Sequence, residues 1–220
     1  MIRLHHCAQT RSMRSLWLLH ELGVPFELVD WPFDKSLRSP EFRALNPAGR
    51  VPALEIEGET LWETGAIAEF LCDRFPEAGF GRNAGDPERG QWLVWLHFSE
   101  TISQHTATLT QQHIVLYEDH MRSPLIMDLE AKRLAKCFSV VEARLQGRDY
   151  LLDGGFSAAD IAVGQAIYMG RHFAKLDPFP ALQDWYERIT ARPAFMASRP
   201  IDGGTRLYTR DYYAPWPLEA

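Results

Sequence analysis

Long apolar runs, clusters of basic residues and closely spaced cysteines are all missing from this chain of 220 residues. No stretch approaches the ~20 consecutive apolar residues of a transmembrane helix. The 23 lysines and arginines are outnumbered by 29 aspartates and glutamates, which gives a formal net charge of -6. These features predict a protein that binds neither membranes nor nucleic acids.

Cysteine is scarce, and its three copies (Cys7, Cys72 and Cys137) are too far apart for a disulfide framework or a set of metal ligands. The eight histidines include no pair at the i, i+4 spacing of a helical metal site. We therefore expect no metal. The opening residues, Met1 to His6, lack the profile of a signal peptide, so we expect a reduced, cytoplasmic protein.

The first 75 residues alternate between strand and helix patterns. Residues 2–7 and 26–31 predict strands, and apolar side chains at helical spacing between them predict a helix that ends at Gly23. Two strands joined in this way are expected to be parallel. A short helix at 41–45, two more strands and a helix to about residue 74 follow. The order βαβ-α-ββ-α is typical of a thioredoxin-like domain.

A turn and a strand lie at the centre of this region, in Asn46-Pro-Ala-Gly-Arg-Val-Pro-Ala-Leu54. Pro52 stands at the start of the strand, where the missing N–H is tolerated. If the Val51–Pro52 bond is cis, the N–H and C=O of Val51 face outward toward an extended peptide. Glu63-Thr64 opens the next helix, whose free amides and dipole favour a carboxylate. The pattern predicts an edge that binds a small acidic peptide beside an anion site.

These residues resemble a known family. Asn-Pro-x-Gly-x-Val-Pro-x-Leu followed by Glu-Thr is similar to the glutathione-binding half of a glutathione S-transferase, which implies that Pro52 is the cis-proline of the thioredoxin fold. Phe156-Ser-Ala-Ala-Asp-Ile161 predicts a helical capping box. In the same family such a box nucleates a buried helix, so we expect the Asp160 carboxylate to be structural. The resemblance covers about residues 1–196.

The predicted fold class is therefore α/β plus all-α, the glutathione transferase fold. It consists of a thioredoxin-like, glutathione-binding domain at 1–77, a Gly- and Pro-rich linker at 78–85 and a helical domain at 86–200. The tail at 201–220 is rich in aromatic residues, and we expect it to pack on the body of the protein. The family is usually homodimeric, which the resemblance implies for this chain.

Conjugation requires a glutathione thiolate at neutral pH, and a hydroxyl donor beside a helix N-terminus stabilises that anion. Many bacterial and theta-like members of the family carry a serine four residues before an arginine of the first helix. Counted from Arg14, that position is Thr10. We predict that Thr10 donates to the thiolate, with Ser12 as the second candidate. Either hydroxyl could instead serve only as a helix cap.

The other site residues follow from the resemblance. The backbone around Val51-Pro52 binds the peptide, Arg50 bonds the peptide or its carboxylate, Thr64 takes the γ-glutamyl carboxylate, and Glu63 takes the α-amino group or supports the turn. Arg50 as a solvated surface arginine is an equal alternative. A pocket for the electrophile is expected between the domains, and it would include Gln104 and His105 of the long helix after Asp86.

The leading hypothesis is a cytosolic glutathione transferase in which the thiolate attacks an electrophilic carbon of a small apolar substrate. One alternative is a glutathione-dependent thiol–disulfide oxidoreductase that uses Cys7, whose spacing to Thr10 matches the Cys-x-x-Ser sites of glutaredoxins. Another is a non-catalytic interaction module of the same fold. The intact Val51-Pro52 and Glu63-Thr64 pairs argue against that module. The identity of the electrophile stays open.

Overall fold

The computed structural model describes residues 1–200 and 206–215. The chain divides into two compact units, Met1–Leu93 with Thr190–Leu207 and Val94–Ile189 with Tyr208–Ala220. The first unit contains the predicted thioredoxin-like domain. The second unit is helical throughout its regular elements.

Four strands and eight α-helices lie within the described residues. The strands are β1 (Ile2–His6), β2 (Phe26–Asp30), β3 (Ala53–Ile56) and β4 (Glu59–Trp62). The helices are α1 (Met13–Leu22), α2 (Pro40–Leu45), α3 (Thr64–Arg74), α4 (Arg89–Thr110), α5 (Pro124–Leu145), α6 (Ala158–Gly170), α7 (Pro180–Thr190) and α8 (Pro193–Ser198). The order βαβ-α-ββ-α predicted for the N-terminal part is confirmed.

The strands form one mixed sheet in the order β2-β1-β3-β4. β1 is parallel to β2, because α1 carries the chain back across the sheet between them. β3 is antiparallel to both β1 and β4. The hairpin between β3 and β4 turns at Glu57 and Gly58, whose φ angles of 52° and 89° suit a two-residue turn of the right twist. This sheet confirms the thioredoxin-like fold class.

The core of the first unit forms where the alternating apolar positions of the strands meet the apolar face of α1. Leu4, Leu54 and Trp17 are fully buried there. The last helix belongs to this unit as well, because α8 packs on α1. The rings of Trp17 and Phe195 lie 4.8 Å apart in an edge-on contact.

The second unit is built around α6, which is buried along its whole length. A helix of this kind is apolar on every side, as expected of the central helix of a bundle. The preceding helix, α5, begins with a serine and a proline, a pair that is typical of a helix N-terminus. The Ser123 hydroxyl accepts a hydrogen bond from the Ile126 N–H at 3.4 Å, and Pro124 occupies the first helical position.

Asp160 holds the start of α6 in place. Its carboxylate accepts hydrogen bonds from the backbone N–H groups of Ser157 and Leu151 and from the indole N–H of Trp185, each at 3.0 Å. The Ser157 side chain completes the capping box. The side chain of Asp160 has no solvent exposure. The carboxylate therefore ties three segments of the second unit together.

The aromatic tail can be followed over residues 206–215. Tyr208 and Tyr213 are buried there, and the ring of Tyr208 stacks on His172 with centroids 4.5 Å apart. The Tyr213 N–H donates to the His172 carbonyl at 2.7 Å. The prediction for 201–205 and 216–220, including Trp216, lies outside the described residues.

No helix in the described ranges combines the length and the apolar character needed to cross a membrane.

The network around Asp160 leads to a stability prediction. We expect Asp160→Ala to lower the free energy of unfolding by about 3 kcal/mol or more, because it leaves buried N–H donors without an acceptor. Urea unfolding followed by circular dichroism measures the loss. The control is Asp184→Ala on the exposed face of α7, for which the change should stay within about 0.5 kcal/mol. Equal effects of the two substitutions would contradict the assignment of Asp160 as a structural anchor.

Candidate functional site

Three of the predicted site segments come together at one edge of the sheet. His5 of β1 pairs with Ala53 of β3, and Ala53 pairs with Trp62 of β4. These three residues form one row across the sheet. β1 ends just after this row, β3 begins at it and β4 ends at it. Residues 7–12, 46–52 and 63–64 therefore lie beside one another, and we call them the loop edge.

The middle segment of the loop edge exposes a stretch of backbone. The Val51–Pro52 bond is cis. Asn46 is buried, and its side-chain amide donates to the carbonyl oxygens of Arg50 and Pro52. The structure records no hydrogen bond from any described residue to the backbone N–H or C=O of Val51. One residue of extended backbone is thus left with an available donor and acceptor.

Arg50, just before this backbone, is exposed. Its guanidinium makes no hydrogen bond or ion pair to the residues that the structure describes. It is therefore positioned as a surface cation at the loop edge.

The third segment is the start of α3. Glu63 stands before the helix with φ 74° and ψ 120°, a backbone conformation that residues other than glycine rarely adopt. Such outliers cluster at ligand-binding positions, where the surrounding structure maintains them. The Glu63 side chain is exposed and does not cap the helix. The first amides of α3 accordingly keep the anion-binding character of a helix N-terminus.

Arg14 reaches Thr64 from inside the protein. This arginine is on α1 and is buried, and its Nη1 donates to the Thr64 hydroxyl at 3.1 Å. Thr64 is itself 7% exposed. The contact fixes the rotamer of Thr64 and adds a positive charge below the N-terminus of α3. Both features favour a carboxylate at that position.

Thr10 and Ser12 lie in one buried cluster of hydroxyl groups. The two side-chain oxygens are 2.8 Å apart, and the Thr10 hydroxyl donates to the Cys7 carbonyl, also at 2.8 Å. Ser12 occupies the N-cap position of α1, but its side chain makes no capping hydrogen bond. It accepts instead from the Cys7 N–H at 3.1 Å and contacts Nδ1 of His6 at 2.8 Å. Both candidate donors thus belong to a network that also holds the end of β1.

His6 is an uncharged part of this network at neutral pH. It is buried, and burial lowers the pKa of its imidazole to about 4, although Asp30 acts in the opposite direction. A neutral imidazole has one N–H and one acceptor nitrogen. His6 can therefore either donate to or accept from Ser12.

Cys7 has the environment of a structural cysteine. Its thiol is unpaired with other cysteines and 3% exposed. Burial, followed by the charges of Asp30 and Asp34, raises its pKa to about 11. Reactive cysteines have lowered pKa values and partly exposed sulfur atoms. The thiol at Cys7 is therefore a poor nucleophile at neutral pH.

Gln104 and His105 lie in the second unit, on α4. The Gln104 side chain is exposed. His105 Nδ1 contacts a carboxylate oxygen of Glu130 at 2.6 Å, and Arg133 donates to the other oxygen at 2.7 Å. Burial alone would raise the pKa of Glu130, but the hydrogen bonds with His105 and Arg133 together outweigh burial and lower the pKa. The contact with Glu130 also orients the imidazole of His105.

Sequence reasoning missed three residues that support the loop edge. Asn46 was recognised only as a turn former, Arg14 only as a landmark for Thr10, and His6 only as one of the histidines. A signal for Arg14 was available. It lies three and four residues before Trp17 and Leu18, on the apolar face of α1, so a buried charge could have been inferred.

Among the described residues, no group of three or more histidine, cysteine, aspartate or glutamate side chains is arranged to hold a metal ion.

The fold and the loop edge together define a class: a thioredoxin-like domain with a cis-proline loop, followed by a helical domain. Comparison with known families agrees with this class. The N-terminal domain of glutathione S-transferase matches residues 1–73, and its C-terminal domain matches residues 110–193. The chain belongs to the glutathione S-transferase family, as its motifs predicted.

Individual relatives are similar over most of their length. "Glutathione S-transferase 3" of Schizosaccharomyces pombe is 25% identical over 205 residues, which are 88% of this chain and 85% of the relative. Two solved structures resemble the fold. A glutathione transferase of Phanerochaete chrysosporium with oxidized glutathione is 25% identical, with a TM-score of 0.81 over 90% of this chain and 92% of its own. A sphingomonad glutathione S-transferase complexed with glutathione is 27% identical, with a TM-score of 0.76 over 89% and 96%.

The environments of Cys7 and Cys72 lead to a prediction of reactivity. The raised pKa of Cys7, about 11 against an ordinary 9.0, lowers its thiolate fraction about a hundredfold, and the pKa of Cys72 is raised to about 12. We expect iodoacetamide to alkylate both at least a hundredfold more slowly in the native protein than in urea. Mass spectrometry of peptides at pH 7.5 measures the rates. Rapid labelling of native Cys7 would contradict this assignment and revive a redox role.

Proposed function

We propose that this protein is a glutathione transferase that activates the thiolate of glutathione for attack on a small apolar electrophile. The observation that carries the proposal is the unpaired backbone of Val51 beside the N-terminus of α3. A hydrogen-bond donor and an acceptor for a peptide backbone thus lie next to a carboxylate site, on a chain of the glutathione S-transferase family. Two structurally similar proteins were solved with glutathione or its oxidized form, which supports the same ligand here.

In the proposed complex the tripeptide extends along the loop edge. Its backbone pairs with the N–H and C=O of Val51, next to Pro52. The γ-glutamyl carboxylate lies at the start of α3, where it bonds the Thr64 hydroxyl and amide, and Glu63 takes the α-amino group. Arg50 supplies a cation for the remaining carboxylate. The two carboxylates and the amino group of glutathione are thereby each paired with an opposite charge or a helix dipole.

The chemistry consists of thiolate formation and substitution. The thiol of free glutathione has a pKa near that of cysteine, about 8.5, so most of it is protonated at neutral pH. The Thr10 hydroxyl turns from the Cys7 carbonyl to the sulfur and stabilises the anion, while the proton of the thiol passes to solvent. The thiolate then forms an S–C bond, and the leaving group departs with the electron pair of the broken bond. Ser12 supports Thr10 through the contact between their oxygens.

Gln104 and His105 bind the electrophile, and the pairing with Glu130 leaves Nε2 of His105 as its remaining polar group. The protein acts as a cytoplasmic homodimer, as the family usually does.

The rival reaction, thiol–disulfide exchange at Cys7, is less well supported because the Cys7 thiol is buried and its pKa is raised.

The first test removes the donor hydroxyl. In Thr10→Val we expect the pKa of the bound glutathione thiol to rise by about one unit or more toward 8.5, because one charge-stabilising hydrogen bond is lost. Turnover of an activated aryl chloride should fall about 10- to 100-fold. Thiolate absorbance against pH and steady-state kinetics measure the two effects.

Two controls accompany this test. Thr10→Ser keeps the hydroxyl and should retain the lowered pKa of bound glutathione. Thr60→Val removes an exposed hydroxyl of β4 and should change neither quantity. If Thr10→Val leaves the pKa and the turnover unchanged, Thr10 is not the donor. If the wild type binds no glutathione at millimolar concentrations, the transferase proposal fails and the interaction-module alternative gains support.

A second substitution separates binding from activation. In Thr64→Val we expect the dissociation constant of glutathione to rise about tenfold, because a hydrogen bond to a carboxylate is lost. The thiol pKa of whatever glutathione is bound should stay at the wild-type value, since Thr64 lies at the other end of the ligand. Isothermal titration measures the first and absorbance the second, with Thr64→Ser as the control that keeps the hydroxyl. A thiol pKa that rises with unchanged affinity would contradict the placement of the ligand.

A further inference from the structure

We infer that His6 is a positioning residue of the thiolate site: as its Nδ1–H tautomer it donates to Ser12, Ser12 donates to Thr10, and the hydrogen of the Thr10 hydroxyl is thereby directed to the ligand. The inference rests on the proposed function for its consequence in catalysis. The direction of the hydrogen bonds follows from the ligand-free protein alone.

The Ser12 hydroxyl determines this direction because it has more neighbours than hydrogens. Its oxygen lies 2.8 Å from His6 Nδ1, 2.8 Å from the Thr10 oxygen, 3.1 Å from the Cys7 nitrogen and 3.2 Å from the Cys7 oxygen. A hydroxyl has one hydrogen and two lone pairs. The Cys7 N–H is always a donor, so it occupies one lone pair. One lone pair and one hydrogen are left for the other three atoms.

In one arrangement His6 is the acceptor. Ser12 then gives its hydrogen to Nδ1, and the 2.8 Å contact with Thr10 needs the hydrogen of Thr10. The Cys7 carbonyl receives no hydrogen from either hydroxyl, although Thr10 lies 2.8 Å from it. If Thr10 turned its hydrogen to that carbonyl or to a ligand, a lone pair of the Thr10 oxygen would face a lone pair of the Ser12 oxygen across their 2.8 Å contact. Thr10 is therefore unavailable as a donor in this arrangement.

In the other arrangement His6 is the donor. The Nδ1–H occupies the second lone pair of Ser12, and the hydrogen of Ser12 goes to Thr10. The hydrogen of Thr10 then bonds the Cys7 carbonyl in the absence of ligand. Each of the three 2.8 Å contacts (His6 with Ser12, Ser12 with Thr10, and Thr10 with the Cys7 carbonyl) then contains one hydrogen, and only the longer contact of 3.2 Å between the Ser12 and Cys7 oxygens contains none. The arrangement has one hydrogen bond more than its alternative. Since a buried polar group without a partner is costly, the structure favours this direction.

This direction matters for a thiolate. The hydrogen of Thr10 is the last in the chain from His6, so it can rotate from the Cys7 carbonyl to the sulfur without breaking any other bond of the cluster. Successive donation also polarises each hydroxyl and strengthens the final bond. The imidazole stays neutral at pH 7, as the low pKa of His6 indicates. The imidazole orients and polarises the hydroxyl groups of Ser12 and Thr10, while its own proton stays on Nδ1.

The tautomer can be measured without any ligand. Nitrogen-15 NMR of histidine-labelled protein at pH 7 distinguishes a protonated Nδ1 from a protonated Nε2, and the spectrum of His6→Asn identifies which signals belong to His6. We expect a protonated Nδ1. A protonated Nε2 with a bare Nδ1 would overturn the inference.

The consequence for the thiolate is tested with two substitutions of His6. His6→Leu removes the donor, and we expect the thiol pKa of bound glutathione to rise by about one unit, so that the thiolate fraction well below that pKa falls about tenfold. The affinity for glutathione at low pH should stay near the wild-type value. His6→Asn can present an amide N–H close to the position of Nδ1 and should recover most of the lowered pKa.

The matched control is His5→Asn. His5 is the preceding residue of β1 and is equally buried, but its ring bonds Glu55 at 2.9 Å and the Trp31 indole at 3.0 Å, away from Ser12. Urea unfolding of all three variants reports their loss of stability. We expect His5→Asn to lose stability without any change in the thiol pKa. A pKa that rises equally in His5→Asn and His6→Leu would show a purely structural effect and overturn the inference.

The remaining outcomes are also decisive. If the wild type and the His6→Leu variant lower the thiol pKa of bound glutathione equally, the role of His6 is overturned and the proposed function stands. A wild-type protein that binds glutathione without lowering its pKa would refute the proposed activation step, and the role of His6 in catalysis would fall with it. The two failures are therefore distinguishable.

Discussion

The candidate site depends on the antiparallel register that places His5, Ala53 and Trp62 in one row of the sheet. Because a strand pair cannot slip by one residue without turning every side chain to the other face, this row is held by the whole buried face of the sheet. The three loops of the site extend from it. Residues 13–45 separate the first loop from the second along the chain, yet the two loops are adjacent in space.

Buried polar groups then set the detail at the loop edge. Asn46 orders the turn before Pro52, Arg14 supports Thr64 from below, and the cluster of His6, Thr10 and Ser12 ends β1. Each of these groups is buried and hydrogen-bonded, so moving one of them leaves a partner unsatisfied. Rigid support of this kind suits a site whose task is to hold a flexible tripeptide and one charged sulfur.

Local patterns were sufficient for most of the fold. Gly23 predicted the end of one helix and the box from Ser157 to Asp160 predicted the start of another, because these signals act within one helical turn. The binding segments at Val51-Pro52 and Glu63-Thr64 were also readable, since turn chemistry and a helix N-terminus are local properties. Arg14 and His6 were missed as parts of the site because their partners are contributed by the folded arrangement.

By itself, the sequence determined the family, the order of the elements and the segments that bear the site. It did so because strand alternation, helical spacing and capping residues depend on neighbours along the chain. Only the tertiary structure decided that Cys7 is buried with a raised pKa, that α8 packs on α1, and that Ser12 bonds His6 rather than the amides of α1. Burial, pKa and the direction of a hydrogen bond depend on atoms that distant parts of the chain bring together, and no local pattern contains them.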